Sequence, residues 1–201
     1  MVILFLLAIA AASYLIGSIS SAILVGRIIS GDDIRSHGSG NAGATNTLRT
    51  MGKKTAAIVL LFDILKGVVV VLLAKLMSGL AQDPNLFIQL AAIAVIVGHN
   101  FPIYYGFKGG KGVATSLGVI TVINPLSAVI CLLFAIVLMV ITKMVSLSVM
   151  LAAVLFPILI IFFAPNYFIF ALVIVLLLVY RHRANIKRIV SGNENKISFD
   201  K

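Results

Sequence analysis

Two stretches of the chain combine glycine, hydroxyl and cationic residues in the way that phosphate recognition requires. The first reads Asp33-Ile34-Arg35-Ser36-His37-Gly38-Ser39-Gly40-Asn41-Ala42-Gly43-Ala44-Thr45-Asn46 and continues to Arg49 and Gly52-Lys53-Lys54. Gly38, Gly40 and Gly43 let backbone N–H groups converge on an anion, while Ser39, Asn41, Thr45 and Asn46 add neutral donors. Arg49 brings a planar fork that matches a phosphate. The second reads Gly98-His99-Asn100-Phe101-Pro102, then Phe107-Lys108-Gly109-Gly110-Lys111-Gly112-Val113-Ala114-Thr115. It opens onto a predicted helix, so Gly109, Gly110 and Gly112 lead free N–H groups and the positive end of a dipole toward a ligand. Lys111 adds a full charge there, and Lys108 either joins it or snorkels at a membrane boundary. A third polar run, Arg181-His182-Arg183-Ala184-Asn185-Ile186-Lys187-Arg188, puts His182 and Asn185 on one face if the helix before it continues. Its cations equally suit an anchor for anionic lipid. Each stretch holds one of the chain's 3 histidines, His37, His99 and His182, the usual proton acceptors near neutral pH.

Several other chemistries fit poorly. Gly38, Gly40 and Gly43 spell a dinucleotide fingerprint with Asp63 beyond it, but no strand precedes them and Asp63 falls inside an apolar run. The spacing of Gly106, Gly110 and Lys111 is short of a nucleotide-binding P-loop, and Gly112 stands where the magnesium-binding hydroxyl belongs. No cysteine cluster or H-E-x-x-H pattern is present, so no metal is expected, and Cys131 reads as a small buried hydrophobe. Asp63 and Lys66, three residues apart, can neutralise each other either to fix helix register or beside the site.

The elements that position these residues are helices in a membrane. Hydrophobic residues make up 61% of the chain and charged ones 11%, against roughly 45–50% and about 25% in soluble domains. Apolar runs fall at about 2–25, 55–77, 86–105, 113–141, 145–163 and 167–180, and backbone facing lipid must satisfy itself as helix. The net charge is +10, and the connecting segments 30–54, 98–112, around Lys143, and 181–201 are rich in Lys and Arg, whereas 79–85 and 164–166 carry none. Basic loops lie on the cytoplasmic side, and with no basic soluble module nucleic acid is not the expected partner. The first apolar run has no positive residue before it and reads as a retained span rather than a cleaved signal.

Sidedness then decides the shape of 113–141. As one straight helix it would reach roughly 44 Å, beyond the hydrocarbon core of about 30 Å, and would leave the basic tail outside. Asn124-Pro125 supplies a break. The expectation is an all-α polytopic bundle in a single domain, 1–201, with about seven membrane segments, N-terminus outside and C-terminus cytoplasmic. Its fourth segment, 113–123, covers about 17 Å and either crosses or turns back as a re-entrant half-helix.

Taken together, three motifs resemble those of the acyl-phosphate-dependent glycerol-3-phosphate acyltransferases of bacterial membranes. They are Gly38-Ser39-Gly40-Asn41 with Gly43-Ala44-Thr45-Asn46 and Arg49; Gly98-His99 with Phe107 to Thr115; and Arg181-His182-Arg183 with Asn185-Ile186 and Arg188. Gly17-Ser18-Ile19-Ser20 departs from the family pattern, with serine where proline is common, which would relax a kink. The resemblance implies acyl transfer from acyl phosphate to the 1-hydroxyl of sn-glycerol 3-phosphate, giving lysophosphatidic acid and phosphate, the first step of bacterial phospholipid synthesis. Acyl phosphate, glycerol 3-phosphate and membrane lipid are then the partners, no cofactor is needed, and the site faces the cytoplasm. Ser39, Arg49, Lys111, His182 and Asn185 would grip phosphate, with Gly38–Gly43 and Gly109–Gly112 as cradles. Either His182 or a substrate phosphate would take the proton. The His-x-x-x-x-Asp pattern of thioester-using acyltransferases is missing, since Ala42, Tyr104 and Lys187 stand five residues after the histidines. A transporter of a phosphorylated anion is the alternative, though such sites usually lie near the bilayer midplane.

Overall fold

The computed structural model describes residues 2–197, so Met1 and residues 198–201 of the basic tail lie outside the described residues. Its helices are α1 (Val2–Gly17), α2 (Ser21–Ser30), α3 (Ala44–Met77), α4 (Pro84–Asn100), α5 (Val113–Ile123), α6 (Pro125–Thr142), α7 (Val145–Phe163), α8 (Phe168–Arg181) and α9 (Arg183–Val190). Two compact units divide the chain, Met1–Val122 and Ile123–Lys201. Among the described residues, five helical stretches are long and apolar enough to cross a bilayer: Val2–Ser30, Ala44–Leu80, Pro84–Tyr105, Pro125–Thr142 and Val145–Phe163. The pair Pro165–Arg181 and Arg183–Val190, bent by 61°, is a sixth candidate, and Val113–Ile123 is a shorter apolar helix. The chain is an all-helical, multi-pass membrane protein.

In the first unit α1 packs on α4 through two glycines. A methyl group on Gly17 would fall on the Val95 carbonyl, and one on Gly98 would fall on the Tyr14 carbonyl. Small residues let the two backbones touch, which is how helices associate in lipid. Phe5 stacks on Phe87 with ring centres 4.8 Å apart. The break between α1 and α2 persists without proline. Ser18 Oγ donates to the Tyr14 carbonyl at 2.8 Å, and Ser20, in extended geometry, accepts from the Ile23 N–H and caps α2. Two serines thus make the turn that a relaxed kink would have lost.

Helix α3 is interrupted at Gly52, whose φ of 84° and ψ of 178° are not helical. Residues 44–51 therefore form a short helix of their own ahead of the span. Asp83 caps α4 by accepting from the Leu86 N–H at 3.0 Å, with Pro84 in its first turn. Lys75 Nζ donates to the Val122 carbonyl at 2.6 Å and closes the far end of α5. An apolar cluster of Ala22, Ile23, Ile34, Ala42 and Val59, with Met51 and Tyr105 against it, fastens the first glycine loop to α2 and α3.

The second unit begins at the expected break. Asn124 accepts from the Ser127 N–H at 2.8 Å, and Pro125 occupies the first turn of α6. Lys143, with φ of 57°, turns the chain into α7, and Phe156 meets Phe170 of α8 edge to face at 6.4 Å. The last span does not continue as one helix. It bends by 61° where α8 gives way to α9, and His182 sits at the corner with φ of −97° and ψ of 8°.

Candidate active site

The first loop is tied down from below by Asn46. Its Nδ2 donates to the carbonyls of Ile34 (3.1 Å) and His37 (3.0 Å). Its Oδ1 accepts from the Ser39 N–H (2.8 Å) and the Ser39 hydroxyl (3.1 Å). Asn46 is 1% exposed, so an amide whose donors and acceptor are all in use is organising the loop. Gly38, at φ 59°, lies so close that any Cβ would strike Asn46 Oδ1. Gly40, at φ 71°, continues the left-handed turn, and the half-buried Asn41 lies over Gly43.

Thr45, Asn46 and Arg49 do not lie on the loop as the glycine-rich sequence suggests. They belong to the short helix 44–51, for which Gly43 is the N-cap in extended geometry. In that first helical turn the N–H groups of Asn46 and Thr47 donate to the Gly43 carbonyl at 3.0 and 3.1 Å, so the groups left at the helix start are those of Ala44 and Thr45. Ser39 and Arg49 are exposed and Thr45 is half-buried.

Arg35 couples the first loop to the second. Asp33 holds its guanidinium through Nε–Oδ1 at 3.0 Å and Nη2–Oδ2 at 2.8 Å, and that hydrogen bonding brings the Asp33 carboxyl down to about 2. The free edge of the fork donates to the carbonyls of Tyr105 (2.7 Å) and Lys108 (3.0 Å). Nothing in the local sequence marks Arg35 for this part. Its partners lie 70 and 73 residues away, and only the neighbouring Asp33 hinted at a fixed side chain.

In the second loop the glycines act differently from the sequence expectation. The Gly109 N–H donates to the Asn100 carbonyl (3.3 Å) and the Gly110 N–H to the His99 carbonyl (3.1 Å), so both are directed at the C-terminal end of α4. What Gly110 contributes is closeness, since a Cβ there would collide with the His99 ring and with the Ala42 carbonyl of the first loop. Gly112, at φ 84°, accepts from the Ser116 N–H at 2.7 Å and starts α5. The first N–H groups of α5, those of Val113 and Ala114, follow directly on the half-buried Lys111. Lys108 is exposed and contributes its carbonyl to Arg35.

The histidines differ in chemistry. His37 is exposed and pairs with Asp32 through Nε2 at 2.6 Å. His99 is buried, with Lys66 Nζ 2.8 Å from Nδ1. In the second unit His182 is 2% exposed, and its Nδ1 lies 2.9 Å from the Leu178 carbonyl. A carbonyl only accepts, so Nδ1 carries a proton, and in the neutral ring the lone pair is on Nε2. Asn185 is buried in α9, where its Nδ2 donates to Glu194 Oε1 at 2.6 Å. Ser146 donates to the same oxygen at 2.7 Å, and Arg188 Nε donates to Oε2 at 2.8 Å. Burial alone would raise the Glu194 carboxyl, but these hydrogen bonds from Asn185, Ser146 and Arg188 outweigh it and hold the group below its ordinary value. Like Arg35, Glu194 carries no local sequence signal of this role.

The role of Asn46 makes a specific prediction. Asn46→Asp keeps an acceptor for Ser39 but removes both donors, leaving two carbonyls facing a carboxylate. Each buried group that loses its partner costs about 1–3 kcal/mol. A lowered melting temperature in detergent and weakened activity should follow together, and a variant that matches the parent in both would remove Asn46 as organiser.

The family model for glycerol-3-phosphate acyltransferase matches residues 7–192. A glycerol-3-phosphate acyltransferase of Alkaliphilus metalliredigens is 45% identical over 185 residues, 92% of either chain. One from Halalkalibacterium halodurans is 47% identical over 195 residues, 94% of either chain. Among solved structures, the integral membrane glycerol 3-phosphate acyltransferase PlsY in its glycerol 3-phosphate form superposes with a TM-score of 0.88 at 34% identity, covering 96% of each chain. Its lysophosphatidic acid form gives 0.85 at 32% identity, covering 96% of this chain and 95% of that one.

Proposed function

The chain belongs to the glycerol-3-phosphate acyltransferase family, and from that premise we propose that it transfers a fatty acyl group from acyl phosphate to the 1-hydroxyl of sn-glycerol 3-phosphate. The new ester bond joins O1 to the acyl carbon, the acyl–phosphate bond breaks, and the products are 1-acyl-sn-glycerol 3-phosphate and phosphate. Both substrates carry phosphate. The observation that carries this reading is the junction of the two glycine loops, where Gly110 lies against the Ala42 carbonyl and Arg35 spans to Tyr105 and Lys108. That junction brings together two helix starts, one followed by Arg49 and the other preceded by Lys111, and a helix start beside a cation is where phosphate oxygens are best bound.

Ser39, Arg49, Lys111, His182 and Asn185 grip or orient substrate phosphate. The N–H groups at the start of α3 and α5 assist, with Gly38, Gly40, Asn41, Gly43, Thr45 and Gly112 shaping the turns, and Asn46, Gly109 and Gly110 holding them. Phosphate is a competent leaving group, so the enzyme needs chiefly to position the hydroxyl, stabilise the developing oxyanion and accept one proton. His182 Nε2, the lone-pair nitrogen, is suited to the last task. The whole chain, 1–201, serves as one acyltransferase in the bacterial cytoplasmic membrane. It has seven membrane segments, an outside N-terminus and its basic loops in the cytoplasm. There a soluble phosphate ester meets a lipid-dissolved acyl donor.

Purified protein given palmitoyl phosphate and glycerol 3-phosphate should yield lysophosphatidic acid without any thioester. Uptake of glycerol 3-phosphate into proteoliposomes with no acyl transfer would replace this reading by transport. His182→Gln should cut turnover by roughly 10²–10⁴-fold if the imidazole is the base, and near-normal turnover with an unchanged pH–rate profile would assign the proton to substrate phosphate. Lys111→Ala should raise the Michaelis constant of a phosphate substrate by about tenfold or more, as expected for a lost charge-assisted bond. Unchanged constants for both substrates would take Lys111 out of the site.

A further inference from the structure

Asp63, Lys66 and His99 form a buried charged cluster that the reaction described above does not use. Asp63 and Lys66 lie on α3 and His99 near the end of α4, with side chains 2%, 9% and 4% exposed. Lys66 Nζ is surrounded by three acceptors: the Ile19 carbonyl at 3.0 Å, His99 Nδ1 at 2.8 Å and Asp63 Oδ1 at 2.8 Å. The contact with Asp63 is that of an ion pair, off the hydrogen-bonding axis. An ammonium has three donors and no lone pair. Asp63 Oδ1 also lies 3.4 Å from Nδ1, but the closer neighbour is Lys66: a proton on Nδ1 would put two hydrogens between nitrogens 2.8 Å apart, and moving the charge from Lys66 to the imidazole would leave the buried carboxylate with the longer of its two ion-pair contacts. The arrangement that balances charge is carboxylate, ammonium and neutral imidazole, with the imidazole proton on Nε2.

Nε2 is the edge of the ring that lies against Gly110. The same residue receives the Gly110 N–H on its backbone carbonyl at 3.1 Å. His99 thus supports the turn through both main chain and ring, and the residue that follows Gly110 is Lys111.

We propose that Asp63, Lys66 and His99 are a positioning triad for the second glycine loop. Lys66, held by Asp63, fixes His99 as the Nε2–H tautomer, and the locked ring sets Gly110, Lys111 and the start of α5 for a substrate phosphate. The proposal rests on the acyltransferase reading for its kinetic consequence, but the tautomer does not depend on it. His99 and His182 then hold opposite tautomers, so one neutral imidazole donates through Nε2 while the other has its lone pair there.

The tautomer can be read directly. In protein labelled with ¹⁵N-histidine at neutral pH, the resonance lost in His99→Gln should show a protonated ε2 and an unprotonated δ1 nitrogen. A δ1-protonated or doubly protonated His99 overturns the proposal whether or not the protein acylates anything. The kinetic arm uses Asp63→Asn combined with Lys66→Met, which removes the ion pair without leaving one charge buried. It should raise the Michaelis constant for glycerol 3-phosphate or acyl phosphate by roughly tenfold, as for a displaced binding group, with kcat little changed. His99→Gln, which can keep an N–H near the ε2 position, should bind more tightly than His99→Leu. Equal constants for these two variants, or a folded double variant with parental constants, also overturn it. Absence of acyl transfer in the parent protein would instead remove the proposed reaction and leave the NMR result to decide the triad.

Discussion

Gly110→Ala is expected to lower kcat/KM by a factor on the order of 100, the effect of misplacing a binding group by about an ångström. A single added methyl group has nowhere to go. On one side it meets the imidazole of His99, which Lys66 holds, and on the other the carbonyl of Ala42 in a loop fastened by Asn46. Neither neighbour is the end of a flexible side chain at the surface. The loop itself must therefore shift, taking Lys111 and the first turn of α5 with it. The strain costs about 1–3 kcal/mol, and a modest fall in melting temperature should accompany the kinetic loss. Gly79→Ala, where an added Cβ meets nothing within 4 Å, is the control and should behave as the parent. A G110A protein with parental kcat/KM would mean that the two loops are not packed as described.

Glu194→Ala should destabilise the second unit and disable Asn185 in one step. The carboxylate collects donors from Asn185 and Ser146 on one oxygen and from Arg188 on the other. Truncation removes the acceptor that Asn185 and Ser146 share, and a lost buried hydrogen bond of this kind costs about 1–3 kcal/mol. The loss of the exposed-side contact with Arg188 matters less, because solvent screens it. Glu194→Gln keeps one acceptor oxygen and should fall between parent and alanine variant in both melting temperature and turnover.

The same carboxyl gives a pH signature. Because its folded value lies below its ordinary one, its contribution to stability is fully present above the ordinary value of 4.5 and is lost as the pH falls from there through the folded value. Melting temperature measured against pH should drop over that acid range in the parent more steeply than in E194Q. Parallel profiles would show that Glu194 is not held as a carboxylate.

What the sequence made readable was local. Asn124-Pro125 announces a helix start through its own cap and ring, so α5 ends where expected and α6 begins within a residue of the expected place. Glycine loops with cations stand out by composition alone, and the anion chemistry proposed for them is what the kinetic variants test. Hidden features were those whose partners lie far along the chain. Glu194 is one acidic residue in a basic tail, and its meaning depends on Ser146, 48 residues earlier. Arg35 is one cation among many until Tyr105 and Lys108 present their carbonyls. Helix 44–51 was missed for another reason. A stretch that short, between Gly43 and Gly52, shows no clear period, and its glycine flanks read as loop.

The break at Gly52 bears on how this protein tolerates its solvent. A membrane-spanning helix adapts to a thinner or thicker bilayer chiefly by changing its tilt, and a rigid rod would swing whatever it carries at its end. Here the rod stops at Gly52, where the backbone leaves helical geometry. Arg49 and Thr45 ride on a separate short piece that Asn46 ties to Ile34 and His37 instead. Gly52 is thus the one residue of α3 at which a change of tilt can be taken up without carrying helix 44–51 along. The start of that short helix is anchored to the first loop by Asn46 and not to the rod that spans the bilayer.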